Sequence, residues 1–85
     1  MAIEMLYFAW VREGMGRAGE TVTPPAGVAT VAQLVDWLAA RDAGTAAALA
    51  DRGRLRAAVD QVFVAMDAPI AGAREIALFP PVTGG

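Results

Sequence analysis

Apolar and polar residues alternate at both ends of the chain, which is typical of β-strands with one covered face. Residues 3–11 read Ile-Glu-Met-Leu-Tyr-Phe-Ala-Trp-Val and predict a first strand rich in aromatic and aliphatic side chains. Residues 75–79 read Glu-Ile-Ala-Leu-Phe and predict a last strand. Pro80 and Pro81 should end that strand, because proline has no N–H group to donate to a sheet.

The segments between these strands contain turn signals and shorter apolar runs. Residues 12–19 include three glycines and predict a flexible hairpin connection. Residues 20–23 then predict a short return strand that stops at Pro24. Residues 57–66 predict one further strand, with a break or bulge near Asp60.

The clearest helical signal begins at Thr30. Thr30 and Gln33 have the spacing of a capping box, in which each side chain accepts a backbone N–H of the other residue. One apolar face follows at helical spacing: Val31, Leu34, Val35 and Leu38. We expect Gly44 to end this helix, and residues 45–51 to form a second, short helix before a turn at Gly53.

These elements follow the order strand, strand, helix and further strands. We therefore predict an α+β fold of the β-grasp type, in which a small mixed sheet wraps one main helix and a short second helix is added. Residues 1–79 would form this single domain, and residues 80–85 a flexible tail that ends in Gly-Gly. A chain of 85 residues buries only about 60–65% of its unfolded surface, so the core is modest.

The alternation also predicts an apolar surface on the side of the sheet that faces away from the helix. Polar residues mark this outer face in three strands: Glu4 with Leu6, Phe8 and Trp10; Gln61 with Phe63 and Ala65; Glu75 with Ala77 and Phe79. The complementary residues should pack on the helix: Met5, Tyr7 and Ala9; Val62, Val64 and Met66; Ile76 and Leu78. An exposed aromatic patch marks a protein–protein contact. A one-residue bulge, or a second helix over this face, would instead bury the three phenylalanines.

Composition excludes several kinds of chemistry. The chain has no Cys and no His, which rules out disulfides, thiol chemistry and the usual zinc sites. All seven basic residues are Arg, and with a formal charge of −2 they form no basic stripe, which argues against nucleic acid as a partner. No apolar run is long enough to span a membrane and no signal peptide is evident, so we expect a cytoplasmic protein.

The C-terminal Gly84-Gly85 offers a chemical handle. Glycine has no Cβ, so a narrow channel of another protein can close around it. From Pro80 onward, six residues could reach roughly 20 Å. The alternative interpretation is an ordinary frayed terminus.

Three segments resemble one family. Residues 55–64, residues 67–70 and residues 75–85, with Phe-Pro-Pro-Val-Thr-Gly-Gly at the end, closely resemble the small, sulfur-carrying subunit of molybdopterin synthase. Residues 6–13 resemble the first strand of that family, whereas residues 15–54 resemble it only weakly. Asp60 stands where the family commonly has Asn, which should alter a local turn or hydrogen bond rather than the chemistry. Leu78 stands where a second Phe is common, and it should point inward.

The resemblance implies a ubiquitin-like sulfur carrier that is not itself a catalyst. An ATP-dependent, E1-like enzyme would adenylate the Gly85 carboxylate, and a sulfur donor would convert the adenylate to a thiocarboxylate. The tail would then enter the large subunit of molybdopterin synthase and deliver sulfur to cyclic pyranopterin monophosphate. The catalytic acids and bases would lie on the large subunit, and this chain would bind no cofactor.

The resemblance also assigns roles to individual residues. Gly85 would carry the acyl-adenylate and then the thiocarboxylate. Gly84 would keep the tail narrow enough to enter the partner's channel. The implied partner-docking residues are Phe8, Arg12, Phe63, Phe79, Pro80, Pro81, Val82 and Thr83. Three other functions stay open: a thiamine-type sulfur carrier, a non-covalent β-grasp interaction module, and a ubiquitin-like modifier that forms an isopeptide with a target lysine.

Overall fold

A computed structural model describes residues 2–81. Its strands are β1 (Ile3–Tyr7), β2 (Gly19–Val22), β3 (Arg56–Val59), β4 (Val62–Val64) and β5 (Glu75–Phe79). They form one sheet in the order β2-β1-β5-β3-β4, in which β1 and β5 are parallel and the other neighbours are antiparallel. This mixed sheet packs on α2 (Val31–Ala39), which confirms the predicted β-grasp fold. Val82, Thr83, Gly84 and Gly85 lie outside the described residues, so the predictions about them stay predictions.

The main helix confirms its predicted start and its buried face. The Thr30 side chain accepts the Gln33 N–H at 3.2 Å, and the Gln33 side chain accepts the Thr30 N–H at the same distance. The predicted apolar residues of α2 are fully buried: Val31, Leu34, Val35 and Leu38. This face, together with the inward side chains of the sheet, forms the core.

The predicted end of that helix is wrong. α2 ends at Ala39, and Gly44 lies inside α3 (Ala43–Ala48). Asp42 explains the difference, because its side chain accepts the Thr45 N–H at 2.7 Å and so caps a new helix that begins at Ala43, before Gly44. The predicted second helix therefore exists but starts earlier. Gly53 lies in a short 3₁₀ helix, Arg52–Arg54.

Residues 8–15 differ most from the prediction. β1 ends at Tyr7, and a helix, α1 (Ala9–Met15), replaces the rest of the predicted strand and the first half of the glycine-rich connection. Ala9, predicted to point inward, is exposed and has a φ of 52°. Trp10, predicted on the outer face of the sheet, lies on α1 instead. The apolar run from Phe8 to Val11 is short enough to fit either a strand or a helix, and packing of α1 against α3 selects the helix.

The predicted break at Asp60 is confirmed and is a turn between two strands. Asp60 and Gln61 have positive φ values of 48° and 71°, and β3 and β4 pair on either side of them. The inward positions Ile76 and Leu78 are buried as predicted, whereas Val62 is 63% exposed. Val62 is the first residue of β4, which is an edge strand of the sheet. Among residues 2–81, none of the helices is long and apolar enough to cross a membrane.

Candidate functional site: an aromatic patch at the root of the tail

Strand register brings the three phenylalanines together on the outer face. Ala58 of β3 pairs with Phe63 on one side and with Ala77 of β5 on the other, so these residues share one face. β1 and β5 run parallel, so the residue that follows β1 lies at the same end of the sheet as the last residue of β5. These two residues are Phe8 and Phe79, and the Phe8 N–H donates to the Leu78 carbonyl at 3.2 Å.

The result is a surface that we call the aromatic patch: Phe8, Ala58, Phe63, Ala77 and Phe79. These residues line one groove of about 320 Å³. Phe8 is 49% and Phe63 74% exposed. The rings of Phe63 and Phe79 have centroids 5.3 Å apart and are tilted by 41°. The prediction that the phenylalanines share the outer face is confirmed, and the alternative in which they form core is wrong.

The aromatic patch is continuous with the root of the tail. Phe79 is the last residue of β5, and Pro80 and Pro81 follow it in half-buried positions. A second groove, of about 310 Å³, is lined by Arg56, Ala57, Phe63, Val64, Phe79 and Pro81. A partner that covers the aromatic patch would therefore also contact the beginning of the tail.

Arg12 occupies a different position from the other predicted docking residues. It is exposed on α1, one helical turn after Phe8, and its N–H donates to the Phe8 carbonyl at 3.3 Å. It lines neither of the two grooves at the aromatic patch. The structure thus brings the phenylalanines and Pro81 together and leaves Arg12 beside them.

Sequence reasoning missed Arg56. The sequence pattern predicts a strand that begins at Ala57, whereas β3 begins at Arg56. The prediction therefore leaves Arg56 outside the sheet. In the structure Arg56 is the cross-strand partner of Phe79 and is exposed. The alternation already held the signal, because Arg56 lies two residues before Ala58 and therefore on the same face.

The outer face has opposite charges at its two ends. Glu4 and Glu75 pair directly across β1 and β5 at the end far from the tail, and Glu4 accepts the Thr21 hydroxyl at 2.7 Å. Arg56 lies at the tail end. The apolar residues of the aromatic patch lie between the carboxylates and the tail.

A second polar cluster joins β1, β2 and the end of α2. The Tyr7 hydroxyl donates to Glu20 at 2.7 Å, and Arg41 donates to both Glu20 oxygens at 2.9 and 2.7 Å. Hydrogen bonds from Arg41 are the main reason that the pKa of Glu20 falls from 4.5 to about 2. Burial is the main reason that the pKa of Tyr7 rises above 10.0. Because Arg41 holds the Glu20 carboxylate ionised and lowers its pKa, Glu20 is a poor proton acceptor. The cluster therefore stabilises the fold, and Glu20 does not resemble a catalytic base.

Residues 2–81 contain no cluster of side chains suited to a metal ion. No group of three or more acidic side chains among them could hold a metal ion.

Comparisons with known proteins give a consistent picture. The family model described as the ThiS family matches residues 5–85. The molybdopterin synthase sulfur carrier subunit of Escherichia coli (strain K12) is 45% identical over 83 residues, which cover 98% of this chain and 99% of the relative. The crystal structure of small archaeal modifier protein 1 from Haloferax volcanii is 27% identical, with a TM-score of 0.68 over 95% of this chain and 98% of that one.

A further similarity concerns the fold alone. A putative molybdopterin converting factor, subunit 1, from Pyrococcus furiosus is 20% identical, with a TM-score of 0.72 over 96% of this chain and 99% of that one.

Proposed function

This chain belongs to the ThiS family, in the group of molybdopterin synthase sulfur carrier subunits, and on that premise we propose that its Gly85 carboxylate carries sulfur to molybdopterin. An ATP-dependent, E1-like enzyme adenylates the carboxylate and releases pyrophosphate. Sulfur at the oxidation level of sulfide, supplied by a donor, then attacks the acyl carbon, expels AMP and leaves a thiocarboxylate. In the large subunit of molybdopterin synthase, this sulfur passes to cyclic pyranopterin monophosphate.

The chemistry of the chain supports this proposal. A terminal carboxyl group has a pKa of about 3.5, so it is ionised at neutral pH and is a poor electrophile until it is activated. The chain has no Cys that could hold sulfur as a persulfide. The terminal carboxylate is therefore the carrier group that the composition leaves available.

The observation on which the proposal rests is the continuity of the aromatic patch with the tail. Ordering four tail residues in a partner's channel costs on the order of 4–8 kcal/mol of backbone entropy. An exposed aromatic surface at the root of the tail can offset this cost, because aromatic residues that become buried at an interface contribute strongly to binding. Phe8, Phe63 and Phe79 are the residues that we assign to this docking, with Arg12 beside them.

Intact mass spectrometry tests the chemical step. The chain is incubated with its activating enzyme, ATP and a sulfur source, and one oxygen should be exchanged for sulfur. A variant that lacks Gly85 is the control, and it should fold normally, gain no sulfur and leave the pterin unsulfurated. Absence of the thiocarboxylate from the full-length chain, or sulfur transfer by the truncated one, would contradict the proposal.

A second candidate function is protein modification, and the similarity to small archaeal modifier protein 1 favours it. In that case the activated Gly85 carboxylate forms an isopeptide with the lysine of a target protein. Incubation with the activating enzyme, ATP and cell extract would then give covalent adducts on other proteins. This chain cannot be its own target through a side-chain amine, because it contains no Lys.

A further inference from the structure

Arg56 is held in a defined position beside the aromatic patch. It pairs with Phe79 across β3 and β5 and lines the groove that Phe63, Phe79 and Pro81 also line. Its Nη1 donates to the carbonyl of Gly53 at 2.9 Å and to that of Leu55 at 3.0 Å. These two backbone contacts orient the guanidinium before any partner binds.

Among residues 2–81, no group binds the other nitrogens of this guanidinium. Within residues 2–81, three arginines form ion pairs with carboxylates: Arg17, Arg41 and Arg52. Arg56 forms none there, and its hydrogen bonds in that part of the chain all come from Nη1. The planar guanidinium matches a carboxylate in a two-point contact, so the complementary group is an Asp or Glu of a partner.

The charges of the outer face also define an orientation. Glu75 and Phe79 are four residues apart on β5, which separates the carboxylate end from the Arg56 end by about 13 Å. A partner whose carboxylate meets Arg56 is attracted. If the partner is turned end for end, the same carboxylate comes close to Glu4, Glu75 and Asp60, whose negative charges outnumber the one cation that residues 2–81 place at that end, Arg74, and it is repelled.

We propose that Arg56 selects and orients the docking partner by pairing with a carboxylate on the large subunit of molybdopterin synthase. That carboxylate lies beside an apolar side chain that fills the groove between Phe63, Phe79 and Pro81. The inference rests on the proposed function, because it takes the large subunit as the occupant of this surface. It adds a specificity-determining residue outside the set that the resemblance implies.

The test compares Arg56→Gln with Arg54→Gln in the full chain. Arg54 is also exposed and carries the same charge, but it lines a different groove, with Trp10 and Asp51. Affinity for the cognate large subunit is measured by calorimetry at about 50 mM and about 500 mM NaCl. At low salt Arg56→Gln should weaken binding about three- to tenfold and Arg54→Gln less than about twofold, and the difference should shrink at high salt because the ion pair is screened.

A further variant separates charge from packing. Arg56→Lys keeps the cation and should recover part of the affinity and the salt dependence. Equal effects of the two Gln variants, or a loss for Arg56→Gln that is the same at both salt concentrations, would overturn the role of Arg56 and leave the carrier function standing. If the unaltered chain does not bind the large subunit at all, the proposed function falls, and the role of Arg56 falls with it.

Discussion

At the residue scale, Phe63 should contribute much more to binding than to folding. It is 74% exposed, and its only aromatic neighbour within residues 2–81 is Phe79. Phe63→Ala should lower the free energy of unfolding by about 1 kcal/mol or less. The same change should weaken binding of the large subunit at least about tenfold, as truncation of an aromatic anchor does.

Val62→Ala is the matched control for this prediction. Val62 is next to Phe63 on the edge strand and is 63% exposed, but it lies on the opposite face. Thermal unfolding and calorimetric titration of both variants measure the two effects. Equal losses of affinity would place the interface somewhere other than the aromatic patch.

Asp60 gives a second prediction at this scale. Its Oδ1 accepts the N–H groups of Arg74 at 3.0 Å and Glu75 at 2.9 Å, and its own φ is positive. Asp60→Ala removes both acceptor contacts and places Ala in a left-handed conformation, so it should destabilise the fold by about 2–3 kcal/mol. Asp60→Asn keeps an equivalent oxygen and tolerates this conformation, so it should change stability by less than about 1 kcal/mol.

Chemical denaturation of the two Asp60 variants measures this difference. An equal loss for Asn and Ala would mean that the negative charge, rather than the turn geometry, stabilises the β3–β4 connection.

At the scale of elements, α1 depends on a glycine at its contact with α3. A Cβ at Gly14 would come within 2.7 Å of the Ala48 Cβ and 3.2 Å of the Ala48 Cα. Through helix propensity alone, Gly14→Ala should raise the free energy of unfolding by about 1 kcal/mol. Overpacking against Ala48, whose Cβ cannot rotate away, should lower it by about 1–3 kcal/mol. The net result should be a less stable chain, by up to about 2 kcal/mol.

Gly44→Ala provides the opposite expectation in a neighbouring helix. Gly44 is exposed on α3, and an added Cβ would meet only the Asp42 Oδ1, at 3.4 Å. This variant should therefore be more stable by about 0.5–1 kcal/mol, a rise of several degrees in Tm. Thermal unfolding of the pair checks both signs. A rise in Tm for Gly14→Ala would show that α1 and α3 do not pack as closely as described.

Elements were predictable where the decisive signals are local. The capping box of Thr30 and Gln33 lies within one turn, so it marked the start of α2 correctly. The Asp42 cap that begins α3 is equally local, and the sequence prediction overlooked it in favour of Gly44. For residues 8–11 no local signal was sufficient, because four apolar residues fit both a strand and a helix.

At the scale of the whole molecule, the cluster around Glu20 links the sheet to the end of α2. It also makes the free energy of unfolding depend on pH in the acidic range. The folded-state pKa of Glu20 lies below the ordinary value, near 2 rather than 4.5, chiefly through Arg41. Its contribution is therefore present above about pH 4.5 and is lost as the pH falls towards 2. The free energy of unfolding should decrease across this range.

Glu20→Gln should reduce stability at neutral pH and flatten its dependence between pH 4.5 and pH 2. Glu13→Gln, at an exposed position on α1, is the control and should keep the slope of the unaltered chain. Urea denaturation at several pH values measures both. An unchanged acid slope in Glu20→Gln would assign the slope to other carboxylates.

The amino-acid sequence by itself determined the start of α2, the span of β5, the break at Asp60 and the alternation that separates each phenylalanine from the core residues beside it. Each of these follows from alternation, capping or turn chemistry among residues close in the chain. Only the tertiary structure decided that residues 9–15 form a helix, that Val62 is exposed and that Arg56 stands beside Phe79. These outcomes depend on which distant segment packs or pairs at each position: α3 against α1, the place of β4 at the edge of the sheet, and the register of β3 with β5.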